Sequence, residues 1–487
     1  MLYEAFKKLG KHSAIYALGP AVQKLIGFLL LPIVTAYIGT TGDFGVTEMA
    51  AVVIAVASQL VGVNLLHGMT RYYKDYEGES ERASLVSTTL LCLVGTTGAF
   101  FVIVWFTRTK ASALLFGSSR YAPALLVTAG ILILQTISQV GLRTLQILER
   151  SVSYGVLTTL KLVAEVGSKL WFLVALSLSY MGVLYSVLVG EGLIAAAMLV
   201  FLLARFGLHF SRVQAGRLWR YTAPLVLSGL CMFALHQADR FFVLRSWGED
   251  EVGVYALCYK LGSIGNTVVF EAFALIWFPY VFAIKDERVL IVLVRSIATW
   301  LGCLSCFVAL GLSVFRQEIV EHMAAPEFFE AYRALPWIAL GYVFWVLFQI
   351  FGTVFYVRER TGSVTWLVGG AALLNLVLNA LLVPRLAHAG AAIATAVTFG
   401  ALALASWLWA ERLVSVRYEL GRLAVPLCLA AALYFASEHL PELSWGASLT
   451  LRGGLVAAFP AILGLGGFLK GGEKAKIKAI LNRRTAT

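Results

Sequence analysis

Six cations stand inside apolar runs of the chain: Lys24, Lys161, Lys169, Arg240, Lys260 and Arg295. A charge at the centre of a hydrocarbon layer costs about 2.5–3.5 kcal/mol, so one retained there tends to have a task. Lys161, Glu165 and Lys169 recur every fourth residue and share one helix face. That face either neutralises itself through Glu165 or presents two cations to a solute. Asp239 and Arg240 are adjacent, with His236 one turn earlier, so carboxylate and guanidinium point to different sides of their helix. For Lys24, Arg240 and Lys260, capture of an anionic substrate competes with structural ion pairing. Arg295, near a helix start, also reads as a snorkelling side chain.

Polar stripes add candidates. Gln135, Gln139 and Arg143 repeat every four residues, as do Asn375 and Asn379, and Asn64, His67 and Arg71 fall on one face. Amides supply donors and acceptors together, although interhelical hydrogen bonding is an equally good use for them. Glu165, Glu191, Asp239, Glu271 and Glu48 are placed where a carboxylate could couple transport to a proton or sodium gradient. No cofactor is expected. The GxxxxGK[ST] loop is absent, as are HExxH and GxSxG, so ATP hydrolysis and the common hydrolase chemistries have nothing to stand on. All six cysteines lie in apolar runs; Cys303 and Cys306 have CxxC spacing but no second pair, which reads as packing.

These residues need elements that hold them at depth, and the composition supplies them. Of 487 residues, 60% are hydrophobic and 14% charged, with a mean hydropathy of +0.82. A soluble protein of this size would need far more polar surface, so the fold class is an all-α polytopic membrane protein. Cutting the chain into apolar stretches of about 20 residues gives about 14 transmembrane helices, among them 13–38, 154–178, 363–383 and 387–410. No connecting loop is long enough to hold a soluble domain.

The net charge of +12 would suggest nucleic acid as a partner in a soluble protein. In a membrane protein it reads as loop decoration. With the N-terminus inside, 25 of the 39 Lys and Arg fall in inner pieces and eight in outer ones, leaving the six intramembrane cations. That asymmetry follows the positive-inside rule and places both termini in the cytoplasm.

An internal repeat organises the spans. Gly42-Asp43-Phe44-Gly45-Val46 is echoed by Asp250-Glu251-Val252-Gly253-Val254, Glu149-Arg150 by Glu359-Arg360, and Gly182 by Gly390, at offsets of 208 to 210 residues. The unit is six spans. An even unit keeps its orientation, so the halves form a parallel repeat. The expected division is an interfacial N-terminal segment (1–12), an N-lobe (13–204), a basic cytoplasmic linker (205–220), a C-lobe (221–410), two appended helices (411–469) and a basic cytoplasmic tail (470–487).

The stretches LLLPIVTAYIGTTGDFGVTEM (29–49), LQILERSVSYGVLTTLK (145–161), ADRFFVLRSWGEDEVGVYALCYKLG (238–262) and LVPRLAHAGAAIATAVT (382–398) resemble the polysaccharide-transporter branch of the multidrug/oligosaccharidyl-lipid/polysaccharide exporter superfamily. The resemblance implies two six-helix lobes around a central cavity. It implies flipping of an undecaprenyl-diphosphate-linked oligosaccharide across a bacterial inner membrane by alternating access, for O-antigen and related lipopolysaccharide export. Partners would be the lipid-linked oligosaccharide, membrane lipids, a polysaccharide polymerase and glycosyltransferases, with no nucleic acid. On that reading Lys24, Lys161, Lys169, Arg240 and Lys260 line a cationic cavity for the head group, and Gln135, Gln139, Arg143, Asn375 and Asn379 meet its sugars. The alternative is a cation-coupled multidrug exporter of the same superfamily.

Overall fold

Every described element is helical, as backbone polar groups in hydrocarbon demand, because no water is there to satisfy them. The computed structural model describes residues 22–284, 286–441 and 445–468. The expected interfacial segment 1–12, the tail 470–487 and Lys285 lie outside them.

The first contact-defined unit comprises residues 1–260, 320–331 and 365–398. A helical stretch over 22–29 leads into α1 (Leu31–Tyr37), α2 (Thr41–Leu60), the short α3 (Leu65–Tyr72), α4 (Glu79–Leu115) and α5 (Ala122–Ile147). They continue as α6 (Ser151–Leu170), α7 (Ser179–Phe206), α8 (Arg212–Gln237), α9 (Asp239–Trp247) and the first turns of α10 (Glu249–Asn266). The second unit comprises 261–319, 332–364 and 399–487. It holds the end of α10 with α11 (Ala272–Phe282), α12 (Glu287–Val314) and the start of α13 (Arg316–Met323). It also holds α14 (Leu335–Val357), both ends of α15 (Thr361–Leu413), α16 (Leu420–Glu438) and α17 (Trp445–Leu465).

Eleven described helices are long and apolar enough to cross a membrane. This agrees with the sequence segmentation once three differences are traced. The first expected span is only partly described. The span at 154–178 is α6, whose Lys161, Glu165 and Lys169 make it more polar than its neighbours. The spans 363–383 and 387–410 run together as α15, broken at Ala387 with φ 50° and ψ −136°.

The repeat is written in the backbone as well as in the sequence. Left-handed residues recur in register: Glu149 with φ 55° and Glu359 with φ 54°, Ser179 with φ 49° and Ala387 with φ 50°. Such angles are uncommon outside glycine, so their recurrence marks two copies of one chain path. A carboxylate holds each of the last two turns. Ser179 Oγ donates to Asp43 Oδ2 at 2.7 Å, and His388 N donates to Glu251 Oε1 at 3.1 Å.

Burial is inverted relative to a soluble protein. Large apolar side chains such as Trp366, Val200 and Leu227 are exposed, because their solvent is lipid. Buried hydroxyls bond their own helix: Thr128, Thr136 and Thr144 of α5 donate to carbonyls four residues back at 2.7–2.8 Å. In the second unit Cys306 packs with Leu310, Val314, Leu433 and Phe459, the hydrophobic role expected of it. Arginines clamp α16 and α17 there. Arg316 donates to Glu438 at 2.7 Å and Arg452 to Glu318. Arg295, read as snorkelling, donates its Nε to Val416 O at 2.9 Å instead.

Candidate functional site

α8 hands over to α9 at Ala238, whose backbone stays helical at φ −68° and ψ −23°, and the buried pair stands in the first turn of α9. Asp239 is 2% and Arg240 4% exposed. Arg240 Nη1 donates to Asp239 Oδ1 and to His236 O, both at 3.1 Å. Tyr255 donates its hydroxyl to Asp239 Oδ2. The guanidinium lies 4.7 Å from the Tyr259 ring centroid and 5.7 Å from that of Tyr255, within cation–π reach. His236 Nδ1 is 3.3 Å from the Tyr259 hydroxyl. Although adjacent residues diverge on a helix, these two pair directly, while Asp239 also accepts from Tyr255 of α10.

Lys260 belongs to the same constellation. Its Nζ donates to Glu48 Oε1 of α2 and lies 4.9 Å from the Phe44 ring centroid. Glu48 also attracts Arg240 electrostatically. Two cations and two carboxylates from α2, α9 and α10 thus form one cluster with no net charge. Arg240 is sealed inside it, whereas the Lys260 side chain is 42% exposed.

Breaking a buried pair by removing one partner leaves an uncompensated charge and costs about 3–5 kcal/mol. Asp239→Ala should therefore lower the thermal unfolding midpoint of the purified protein far more than Glu48→Gln, whose partner Lys260 reaches solvent. Equal, small shifts for both would show that the Asp239–Arg240 pair carries no structural weight.

A second set spans α6 and α7. Lys161 Nζ donates to Glu191 Oε1 at 2.6 Å, with the carboxylate 3% exposed, and Lys169 Nζ meets Glu165 Oε1 at 3.5 Å. The one-face pattern on α6 is therefore neutralised, by the next helix for Lys161 and along the same helix for Lys169. Lys24 lies on an exposed part of the 22–29 helix. Gln135, Gln139 and Arg143 are half-buried on α5.

Asn375 and Asn379 are fully buried. Asn375 donates to Thr398 Oγ1 at 3.4 Å, which ties the two halves of α15 together, and Asn379 donates to Asn375 Oδ1 at 3.0 Å within the first half. Glu271 accepts from Asn266 at 3.2 Å. Sequence reasoning missed the aromatic wall: Tyr255 and Tyr259 are four residues apart, a signal that was available. It also missed the partners Asp43, Glu251 and His388.

The chain matches the family described as "Polysaccharide biosynthesis protein" over residues 22–332, a stretch that contains both clusters. The chain belongs to the polysaccharide biosynthesis protein family. Solved structures similar to this family member include a flippase and multidrug transporters. One is the lipid II flippase MurJ in an inward closed conformation: TM-score 0.68, 11% identity, 93% of this chain and 98% of that one covered. Another is an inward-facing multidrug resistance MATE family transporter of the MOP superfamily: TM-score 0.64, 13% identity, 83% and 95% covered. MATE in complex with MaL6 aligns with TM-score 0.55, 15% identity, and 84% and 97% covered. No curated protein matches by sequence. The family member is thus a multi-pass membrane protein with the fold of MOP-superfamily transporters.

Proposed function

We propose that this protein flips an undecaprenyl-diphosphate-linked oligosaccharide across a bacterial inner membrane, for export of surface polysaccharide such as O-antigen. The observation that carries the reading is the Glu48–Lys260 pair. It joins the start of the first repeat to the start of the second and keeps one cation within reach of a solute. A sugar diphosphate cannot enter hydrocarbon unaided, since each unsatisfied polar group costs several kcal/mol. A diphosphate brings more charge than one carboxylate, so it displaces Glu48 from Lys260 on entry and is replaced by Glu48 on release. Gln135, Gln139 and Arg143 offer hydrogen bonds to the sugars, Lys24 adds positive potential, and Lys161 and Lys169 contribute where the substrate displaces Glu191 and Glu165 from them.

Alternating access needs an outer barrier, and the repeat loops supply one at the end that the charge asymmetry assigns to the periplasm. The first turns of α2 and α10 cross backbone to backbone at Gly45 and Gly253. Thr41 Oγ1 donates to Asp250 Oδ1 at 2.7 Å across this crossing. Coupling to a proton or sodium gradient falls to carboxylates whose release breaks a bond between helices: Glu191, held by Lys161, and Asp239, held by the Tyr255 hydroxyl, ahead of Glu165 and Glu271. Both termini lie in the cytoplasm, and a polymerase and glycosyltransferases act before and after transport.

The carboxylates matching the cations keep the multidrug-exporter reading in play, because a neutral cluster is less selective for anions than a bare cationic one. Expression in a bacterial strain lacking its own oligosaccharide flippase separates the two. Restored surface glycan with unchanged resistance to cationic dyes is expected. Dye resistance without surface glycan would replace the proposal with the exporter.

A further inference from the structure

A cavity of ≈ 390 Å³ opens where α4 begins and α7 ends, lined by Tyr73, Glu79, Ser80, Arg82, Arg205 and His209. α4 and α7 are both candidate membrane spans, so the cavity sits where spans meet the surface. Three of these six side chains can carry positive charge, against the single carboxylate of Glu79. The arginine at the wall is held in place: Arg82 Nε donates to Tyr76 O at 2.8 Å, and its guanidinium lies 5.4 Å from the Tyr73 ring centroid.

The other wall is strapped down too. His209 N donates to Ser87 Oγ at 2.7 Å and Ser211 N to Thr88 Oγ1 at 3.0 Å, and both hydroxyl residues are buried. Ser84 Oγ donates to Gln214 Oε1 at 2.9 Å. The segment after α7 is therefore a fixed surface that presents His209 beside Arg205. Arg205 and Glu79 are 3.6 Å apart, with side chains 59% and 87% exposed. Such a solvated pair is worth little and yields to a better anion.

We propose that this cavity binds a phosphate group, with Arg82, Arg205 and His209 as its donors and Glu79 as the competing anion. The phosphate is carried by an anionic lipid headgroup or arrives as a soluble ion. The site is separate from the transport cluster and independent of which substrate the protein moves.

Native mass spectrometry of the full chain from mixed micelles tests it, with phosphatidylglycerol and phosphatidylcholine as probes. Wild type should retain phosphatidylglycerol about tenfold over phosphatidylcholine, as charge-assisted hydrogen bonds to phosphate favour. Phosphatidylcholine shares the phosphodiester but carries a cation beside it. The R82Q/R205Q double variant should lose that preference, and Glu79→Gln, at a solvent-exposed side chain, should strengthen it. Competition by inorganic phosphate would assign the site to a soluble ion, and resistance to competition would assign it to lipid; either supports phosphate binding. Unchanged phosphatidylglycerol retention in R82Q/R205Q, or no gain in Glu79→Gln, would overturn it.

Discussion

Replacing Gly253 by alanine should stop transport while the protein still inserts and folds. A Cβ on Gly253 would lie 1.9 Å from Thr41 O and 2.8 Å from Thr41 C; one on Gly45 would lie 2.2 Å from Glu249 O. These are backbone atoms, which cannot rotate away as a side-chain end can. The first turns of α2 and α10 must then separate by more than an ångström, which disfavours closure of the proposed outer barrier. Overpacking of this kind costs about 1–3 kcal/mol, enough to shift a closed–open balance by roughly five- to 140-fold. The reporter is a cysteine pair at Thr41 and Asp250. T41C/D250C should crosslink readily on oxidation, lose transport when crosslinked and regain it on reduction. Adding Gly253→Ala should lower the crosslinking yield. Transport that continues through the crosslinked protein would show that this crossing is not the barrier.

Lys260 and Glu48 should respond in opposite directions. If Lys260 exchanges Glu48 for the substrate diphosphate, Lys260→Ala removes a charge-assisted contact worth about 1.5–3 kcal/mol and raises KM roughly ten- to hundredfold. Glu48→Gln removes the competitor, so KM falls, while turnover slows because nothing reclaims the lysine on release. A merely structural ion pair would make the two variants alike. Flipping kinetics at several substrate densities separates these outcomes, and parallel rises in KM would reject the exchange.

The elements were legible because hydrocarbon imposes a strict length on each span and repeats leave paired landmarks. Gly45 with Gly253, Glu149 with Glu359, and Gly182 with Gly390 all mark backbone features that recur in the structure. Charge partners were less legible. Glu165 with Lys169 could be read from spacing along one helix. Lys161 with Glu191, and Lys260 with Glu48, depend on which helices pack side by side, which no local pattern reports. The asparagines of α15 show the same limit. Their spacing gave a common face but not whether that face met water or Thr398. Asp239 and Arg240 misled for a different reason: diverging Cβ directions do not stop the Asp239 carboxylate from turning back along α9 to accept from Arg240 N at 2.9 Å and Nη1 at 3.1 Å.

The most direct measurement is translocation of a fluorescent undecaprenyl-diphosphate oligosaccharide by the purified full chain in proteoliposomes, wild type beside Lys260→Ala. Substrate crossing in wild type and its near-complete loss in the variant is the expected result, with equal protein incorporated in both. Equal rates in the two, or no crossing by wild type under an imposed proton or sodium gradient, would contradict a route built on this lysine.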